Sequence, residues 1–332
     1  MKKEQIKDTV QVPIHSGFGP LTTSQQVMGN RSLKGKTIIQ TGGYSGIGRE
    51  VTRVFAQSGA TVIIPAHSVE KAKTALQGLP NIEIYEMDLI HPDSIDTFSK
   101  RFLASGRPLH ILINGAGIMA TPLRRDARGY ELQFATNHLG HFQLTARLWP
   151  ALKAAKSARV VVLSSFSHHM AAVNFEDPNF EHREYEKWNA YAQSKSANAL
   201  FAVGLDKKAR KYNVRAFALH PGIVPETDLG RDLKKEELPV LPRDEKGEPI
   251  RQRPGGIPLK TVEEGASTTV WCAVSEQLNG MGGVYCQDVD IAEAVQADSK
   301  SFSGVWPWAI DPFTAEKLWG LSEQLTGVKF LI

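Results

Sequence analysis

Cysteine is scarce in this chain. Cys272 and Cys286 are the only two among 332 residues, and their separation matches no metal-binding spacing. A chain of this length with two thiols does not depend on a disulfide framework. We therefore interpret both as buried, neutral thiols.

Long apolar runs are also absent. No tract of about 18 uninterrupted apolar residues occurs, which argues against a membrane-spanning helix. The N-terminal residues include lysines, but no apolar stretch follows them, which argues against a secretory signal. These absences predict a cytoplasmic protein that does not insert into a membrane.

Neither sign of charge dominates. The chain has 39 basic and 35 acidic residues, a net charge of +4 and no dominant basic block, which argues against nucleic acid as its main partner. Two histidine pairs occur, His138 with His141 and His168 with His169. No carboxylate or cysteine completes a ligand set around either pair, so we predict no metal site.

What the chain does have is a glycine-rich turn. Gly42, Gly46 and Gly48 follow a β-branched run at 37–41 and precede a segment, 47–58, whose apolar residues recur at helical spacing. Gly42 allows a tight turn, Gly46 lets main-chain N–H groups approach phosphate oxygens, and Gly48 permits close helix packing. The helix N-terminus adds its partial positive charge. The turn therefore predicts a binding site for a dinucleotide pyrophosphate.

Strand-like and helical segments alternate along the chain. Segments with helical spacing separate six strand-like runs, at residues 37–41, 61–66, 82–88, 110–114, 160–164 and 214–220. Residues 283–286 could add a seventh strand after a helix at 261–276. Because parallel neighbours need crossover connections, this alternation predicts an α/β fold, a doubly wound parallel sheet of six or seven strands with helices on both faces.

Two stretches interrupt that alternation. Residues 166–188 form a polar connection after the fifth strand, and residues 231–260 contain five prolines and three glycines, too many for a regular element. Both follow carboxyl ends of strands, where open α/β sheets bind ligands, so we expect them to wall or cover a substrate pocket. The second stretch could equally be a solvated loop without a role. We predict an N-terminal extension at 1–32, one catalytic domain at 33–290 with an insertion at about 225–260, and a C-terminal tail at 291–332 that packs on the domain.

A tyrosine and a lysine stand four residues apart in a second motif. Tyr191 and Lys195 are i and i+4 on a predicted helix, so their side chains project from one face. A cation within about 4 to 6 Å can lower the pKa of a neighbouring acid by roughly 1 to 3 units. We therefore expect Lys195 to lower the pKa of Tyr191 towards a useful acid-base range.

Several motifs occur in an order that resembles one family. They are the glycine turn, Asp88-Leu89, the segments 114–117 and 133–141, Ser164-Ser165, the Tyr191/Lys195 pair and His220-Pro221-Gly222. From about residue 33 to 286 the chain resembles the short-chain dehydrogenase/reductase superfamily, most closely the branch of retinol dehydrogenases and related bacterial oxidoreductases. The resemblance implies a Rossmann-type sheet. Gly115 stands where the family usually has a second asparagine.

The resemblance implies four catalytic residues: Asn137, Ser165, Tyr191 and Lys195. In the family the tyrosine protonates a carbonyl oxygen as hydride arrives from nicotinamide, and the lysine also binds the ribose. The serine hydrogen-bonds the reacting oxygen, and the asparagine holds a water in the proton relay. Ser164 competes for the serine role, but adjacent strand residues face opposite sides and the resemblance favours Ser165.

A larger set of residues is expected to hold the cofactor. These residues are Gly42, Tyr44, Ser45, Gly46, Ile47, Gly48, His67, Asp88, Leu89, Asn114, Ala116, Gly117, Tyr191, Lys195, Pro221, Gly222, Val224 and Thr227. An acidic residue about 20 positions after the glycines would accept the ribose hydroxyl of NAD, whereas a cation there accommodates the phosphate of NADP. No carboxylate occupies Ala66-His67-Ser68, and Arg49 follows Gly48, so we predict NADP(H) in preference to NAD(H).

These features predict an oxidoreductase that transfers hydride between nicotinamide and the carbonyl or alcohol of a small to medium apolar substrate. Met119, Met170 and Val173 are candidates for an apolar pocket wall. Reduction of a C=N or C=C bond on the same scaffold and a non-catalytic cofactor-binding protein are the alternatives. Trp306, Trp308 and Trp319 could cap the pocket, line a subunit interface or pack on the core. By analogy with the family, the chain could assemble as a homo-oligomer.

Overall fold

A computed structural model describes residues 8–237, 244–245, 250–251, 257–296, 298–299, 301 and 303–332. Most of the prolines and glycines that mark the predicted insertion lie outside these residues: Pro239, Pro242, Gly247, Pro249, Pro254, Gly255 and Gly256. The structure therefore describes the two ends of that insertion.

Eight strands form one sheet. They are β1 (Thr37–Gln40), β2 (Thr61–Ala66), β3 (Ile82–Glu86), β4 (Ile111–Asn114), β5 (Ala158–Leu163), β6 (Val214–Leu219), β7 (Val284–Gln287) and β8 (Asp290–Ile291). Their order is β3-β2-β1-β4-β5-β6-β7-β8. The first seven strands run parallel, and β8 returns antiparallel to β7. The doubly wound parallel sheet is confirmed. The predicted count of six or seven strands was too low because β8 spans two residues, too few for a pattern.

Ten α-helices surround the sheet. They are α1 (Ser24–Met28), α2 (Gly46–Gln57), α3 (Val69–Ala75), α4 (Pro92–Ala104), α5 (Leu132–Phe134), α6 (Gly140–Ala154), α7 (Lys187–Ala209), α8 (Val262–Val274), α9 (Pro307–Ile310) and α10 (Pro312–Thr326), counted within the described residues. A π-helical turn, Ala135–Leu139, joins α5 to α6, and a 3₁₀ turn, Phe166–His169, follows β5.

The two faces of the sheet are covered by different helices. Ile39 packs with residues of α4, α6 and α7, whereas its neighbour Ile38 packs with residues of α2 and α8. Successive strand residues point to opposite faces. Because both faces are covered, β1, β4 and β6 are buried along their whole length and consist mostly of apolar residues.

The segments at the two ends of the chain pack against this domain. The Gln11 side chain donates to the carbonyls of Tyr285 and Ala292, at 2.8 and 2.6 Å, next to the β7–β8 hairpin. Trp319 of α10 is only 6% exposed and stacks on Phe330 with ring centroids 4.9 Å apart. Trp319 is therefore a core residue. Within the described residues, none of the helices combines the length and apolar character needed to cross a lipid bilayer.

Candidate active site

The glycine-rich turn lies between β1 and α2, at the carboxyl edge of the sheet. A Cβ atom on Gly48 would lie 2.1 Å from the Gly42 carbonyl oxygen, so a side chain at this position would collide with backbone. Gly42 and Gly46 have φ angles of +69° and +47°, a region that favours glycine. The Ser45 side chain makes no capping hydrogen bond to α2. The first N–H groups of α2 can therefore bind an anion, and the turn fits a pyrophosphate.

The other predicted cofactor residues follow neighbouring strands at the same edge. They are His67 after β2, Asp88 and Leu89 after β3, Ala116 and Gly117 after β4, and Pro221, Gly222, Val224 and Thr227 after β6; Asn114 ends β4. A Cβ atom on Gly46 would lie 3.1 Å from Thr227 Cγ2, which brings the segment after β6 against the glycine turn. The Asn114 side chain is directed elsewhere, since its Nδ2 donates to Thr145 Oγ1 at 3.0 Å.

The residues expected to choose the cofactor surround the end of β2. His67 Nε2 lies 3.5 Å from Asp88 Oδ2, and the His67 side chain is 76% exposed. Arg49 Nε donates to the Ala75 carbonyl at 2.8 Å. Glu70 pairs with Lys73 at 2.8 Å. His67 is therefore a cationisable side chain at the end of β2, beside the Asp88 carboxylate, and Glu70 is paired with Lys73.

Tyr191 and Lys195 lie together in the first half of α7. Tyr191 is 3% exposed, and its hydroxyl lies near enough to the Ser165 side chain for that side chain to favour the phenolate. Lys195 Nζ lies 5.6 Å from the centre of the Tyr191 ring and donates to the Leu163 carbonyl at 3.0 Å. The phenol, the serine hydroxyl and the ammonium group are thus brought together beside the end of β5.

The pKa of Tyr191 differs from the sequence-based expectation. Burial raises the pKa of Tyr191 to about 12, and the nearby Ser165 side chain only partly opposes this. Burial also lowers the pKa of Lys195 to about 8. The expectation that Lys195 lowers the tyrosine pKa was wrong for this structure because desolvation of the phenolate outweighs the attraction of the ammonium group. Tyr191 is therefore a protonated phenol at neutral pH.

The two adjacent serines have different partners. Ser164 Oγ donates to the Lys195 carbonyl at 2.7 Å, so it binds the backbone of α7. Ser165 caps the following 3₁₀ turn, where its Oγ accepts from Ser167 N at 3.1 Å. The Ser164 hydroxyl is thus committed to α7, whereas the Ser165 side chain is near enough to the Tyr191 hydroxyl to influence its pKa.

Asn137 lies within the π-helical turn. The Gly140 N–H bonds the Ala135 carbonyl, an i to i+5 pattern that is frequent at functional sites. The Asn137 side chain accepts from Ile118 N at 2.9 Å and donates to the Ile118 carbonyl at 3.0 Å. A Cβ atom on Gly117 would lie 3.1 Å from Asn137 Oδ1 and 3.5 Å from Lys195 Nζ. Asn137 and Lys195 thus border the same backbone segment.

Thr41 and His141, which the sequence analysis did not assign to the site, connect the segment after β4 with the π-helical turn. Thr41 Oγ1 accepts from Gly115 N at 2.9 Å and Ala116 N at 3.0 Å, and lies 2.8 Å from His141 Nε2. His141 Nδ1 lies 2.9 Å from the Asn137 carbonyl, which can only accept. Nδ1 therefore carries the proton and donates it to the Asn137 carbonyl, and the Thr41 hydroxyl donates to Nε2. Burial lowers the pKa of His141 to about 4, which keeps this neutral tautomer at pH 7.

Replacing Thr41 tests how much its hydrogen bonds contribute to the stability of the fold. Thr41→Val leaves two partly buried N–H groups without their acceptor. We therefore expect the free energy of unfolding to fall by about 1–3 kcal/mol. Thr41→Ser keeps the hydroxyl and should lose less stability. Urea unfolding of both variants at pH 7 measures the difference. Equal stability of the valine variant and the wild type would contradict this contribution of the Thr41 hydroxyl.

The described start of the predicted insertion contacts two other loops. Arg124, in the loop after β4, pairs with Asp232 at 2.6 Å, and Lys187 at the start of α7 pairs with Glu237 at 2.5 Å. This part of the chain therefore connects the loop after β4 with the start of α7. Val173 packs in a buried cluster with Phe134.

Comparison with known proteins gives one consistent family. The model of the short chain dehydrogenase family matches residues 36–238. A probable oxidoreductase of Streptomyces lividans is 38% identical over 294 residues, which cover 86% of this chain and 96% of that protein. Retinol dehydrogenase 12 of Homo sapiens is 36% identical over 307 residues, which cover 91% of this chain and 89% of that protein. A crystal structure of an uncharacterized protein from Mycobacterium paratuberculosis has 31% identity and a TM-score of 0.69, covering 91% of this chain and 97% of that one. The chain is thus a member of the short-chain dehydrogenase/reductase family, a group of NAD(P)-dependent oxidoreductases.

Proposed function

We propose that this protein is an NADP(H)-dependent reductase of ketones or aldehydes, and an oxidant of the corresponding alcohols, with Tyr191 as acid and base. One observation carries the proposal. The Tyr191 hydroxyl, the Ser165 side chain and Lys195 Nζ converge at the carboxyl edge of a sheet whose β1–α2 turn fits a pyrophosphate. The substrate is a small molecule with a carbonyl or hydroxyl group.

Tyr191 supplies the proton in the reductive direction. When bound, the nicotinamide supplies or accepts the hydride. The Tyr191 phenol donates its proton to the substrate oxygen, and the Ser165 hydroxyl hydrogen-bonds that oxygen as negative charge develops on it. In alcohol oxidation the same groups act in reverse, and the phenolate takes the hydroxyl proton.

Lys195 and Asn137 prepare Tyr191 for the next turnover. Burial lowers the pKa of Lys195 to about 8, so its ammonium group can release and regain a proton near neutral pH. Its charge also stabilises the phenolate formed after proton donation. Asn137 holds the backbone at Ile118 and lies beside the same Gly117 segment as Lys195. We assign it to the path that returns a proton to Lys195.

A screen of cofactor oxidation tests the function. Loss of NADPH absorbance is followed with ketones, aldehydes, imines and enones of matched size. Met170 is 53% exposed in the connection after Ser165, so we include apolar members of each class. Turnover with ketones or aldehydes supports the proposal. Turnover only with imines or enones assigns another reduction to the scaffold, and binding of NADPH without any turnover would contradict catalysis.

We propose that His67 selects NADP(H). No carboxylate lies between Ala66 and Ser68, and Glu70 is engaged by Lys73. A protonated histidine would bind the 2′-phosphate by a charge-assisted hydrogen bond, which is stronger than a neutral one.

The preference for NADPH over NADH should increase as the pH falls. Between pH 8 and 6 a histidine gains charge. We therefore expect the dissociation constant of NADH, divided by that of NADPH, to rise roughly three- to tenfold. The phosphate itself takes up a proton near pH 6. His67→Gln is therefore titrated in parallel, and its ratio should stay flat or fall. If the wild type and His67→Gln have the same ratio of dissociation constants at every pH, this role of His67 is refuted.

A further inference from the structure

We propose that Tyr285 and His168 form a clamp that positions Ser165, and that the C-terminal segment at 303–308 holds the clamp in place. The inference rests on the proposed role of Ser165 and adds Tyr285 and the segment at 303–308, which lie beyond the family match at 36–238. The main-chain carbonyl of Ser165 accepts from the Tyr285 hydroxyl at 3.1 Å and lies 2.8 Å from His168 Nδ1. Two donors thus hold one peptide group directly beside the reactive hydroxyl.

The proton positions on His168 follow from its neighbours. The main-chain N–H of Trp306 lies 3.3 Å from His168 Nε2 and can only donate, so Nε2 is an acceptor. The proton is therefore on Nδ1, directed at the Ser165 carbonyl. His168 is fully buried, and burial keeps the ring neutral. The C-terminal segment thus selects the tautomer that binds Ser165.

The rest of the 3₁₀ turn is held from two further sides. Trp308 Nε1 donates to the His168 carbonyl at 3.0 Å. The Trp306 ring stacks on His169 with centroids 3.6 Å apart, and His169 Nε2 bonds the Gly304 carbonyl at 3.1 Å. From α7, Ser196 Oγ donates to the Ala171 carbonyl at 2.6 Å. A turn fixed at so many points can keep one orientation of Ser165 Oγ.

Backbone geometry fixes the position of the C-terminal segment itself. Val305 N donates to the Glu293 carbonyl at 2.8 Å, and Val295 N donates to the Val305 carbonyl at 3.0 Å. Gly304 has φ of +99°, and a Cβ atom there would lie 2.8 Å from the Glu293 carbonyl oxygen. Only glycine fits this close approach, which sets the register of the segment and hence the place of the Trp306 N–H.

Replacing Tyr285 by phenylalanine removes one donor of the clamp and changes little else. Tyr285 is fully buried on β7, and burial together with the nearby Tyr191 raises its pKa, so it stays a neutral donor. Tyr285→Phe removes one hydroxyl and keeps the ring, while His168 still binds the Ser165 carbonyl. We expect kcat to fall about tenfold because a small misplacement of a catalytic group is costly. The dissociation constant of NADPH should not change.

A double-mutant cycle with Ser165→Ala separates positioning from a general structural role. If Tyr285 acts through Ser165, Tyr285→Phe should lower kcat in the wild type but change it by less than about twofold in the alanine background. An equal fall in both backgrounds would overturn the clamp while leaving the proposed function intact. A Ser165→Ala variant with unchanged kcat would instead remove the proposed role of the serine, and the clamp with it. Tyr212→Phe, at the amino end of β6, is the control and should match the wild type.

Two replacements of His168 test the tautomer argument. Asn places an amide nitrogen where Nδ1 lies and can still donate to the Ser165 carbonyl, whereas Gln places its amide near Nε2. Both remove the ring, so their stabilities should be similar, but kcat should be several-fold higher in His168→Asn than in His168→Gln. The reverse order would contradict donation from Nδ1 to Ser165.

Discussion

Tyr191→Phe should lower turnover with a ketone by a factor on the order of 10² to 10⁴, the usual contribution of a positioned proton donor. The phenol proton has no substitute in the site, because the proposed role of Ser165 is to hydrogen-bond the substrate oxygen and Lys195 Nζ lies 5.6 Å from the centre of the Tyr191 ring. The aromatic ring remains and should keep its packing, since Trp188 contacts it edge to face with centroids 6.4 Å apart.

The experiment compares kcat with the affinity for NADPH. Loss of a group used only in the transition state lowers kcat and leaves cofactor binding within about threefold of the wild type. Tyr212→Phe removes a phenol hydroxyl far from the site and serves as the matched control. A Tyr191→Phe variant with wild-type turnover would rule out the proposed acid. Equal loss of turnover and of NADPH affinity would indicate damage to the site rather than loss of a proton donor.

The folded protein should lose several kcal/mol of stability between pH 7 and pH 5. Burial lowers the pKa of His138 to about 3 and that of His141 to about 4, while a histidine in the unfolded chain titrates near 6.5. Below that pH the unfolded state binds protons that the native state does not, so stability falls as the pH falls. From pH 7 to 5 each of these two histidines should cost about 2 kcal/mol. His168 and His220, also buried with lowered pKa values, act in the same direction.

Carboxylates contribute in a different pH range. The hydrogen bond from Arg107 lowers the pKa of Glu83, so the stability that Glu83 contributes is lost only as the pH falls below about 4.5. The loss between pH 7 and 5 therefore belongs to the histidines and not to Glu83.

His138→Gln tests this assignment. His138 Nε2 lies 2.8 Å from Ser322 Oγ, a partner that an amide can also reach, and the variant carries no titrating ring. Urea unfolding is measured at pH 7, 6 and 5. Between pH 7 and 5 the free energy of unfolding should fall by about 2 kcal/mol less in this variant than in the wild type, the amount expected from one histidine. The same free energy of unfolding at pH 5 and pH 7 in the wild type would contradict the buried neutral histidines.

Local patterns in the sequence were enough to place the main elements. The β-branched run before the glycines became β1, and the four-residue spacing of Tyr191 and Lys195 placed both on α7. These features depend on nearby residues, so period and turn chemistry predict them. Strand ends shifted by at most two residues because pairing decides them; the predicted strand at 82–88 ends at Glu86 as β3.

Features that depend on distant residues could not be predicted. Thr41 and His141 meet across 100 residues, and nothing in the local pattern pairs them. The one available signal was the placement of His141 one turn after Asn137 on an apolar segment. The pKa of Tyr191 depends on how completely the site is buried, which composition does not reveal. The clamp on Ser165 likewise required the path of the C-terminal segment past His168.

A crystal structure of the complex with NADP⁺ tests the central claim most directly. We predict that the pyrophosphate binds at the turn from Gly42 to Gly48, that Lys195 Nζ reaches the ribose hydroxyls, and that the Tyr191 hydroxyl faces the reactive carbon of the nicotinamide ring. A cofactor bound away from this turn, or a nicotinamide ring that Tyr191 and Lys195 do not face, would contradict the account.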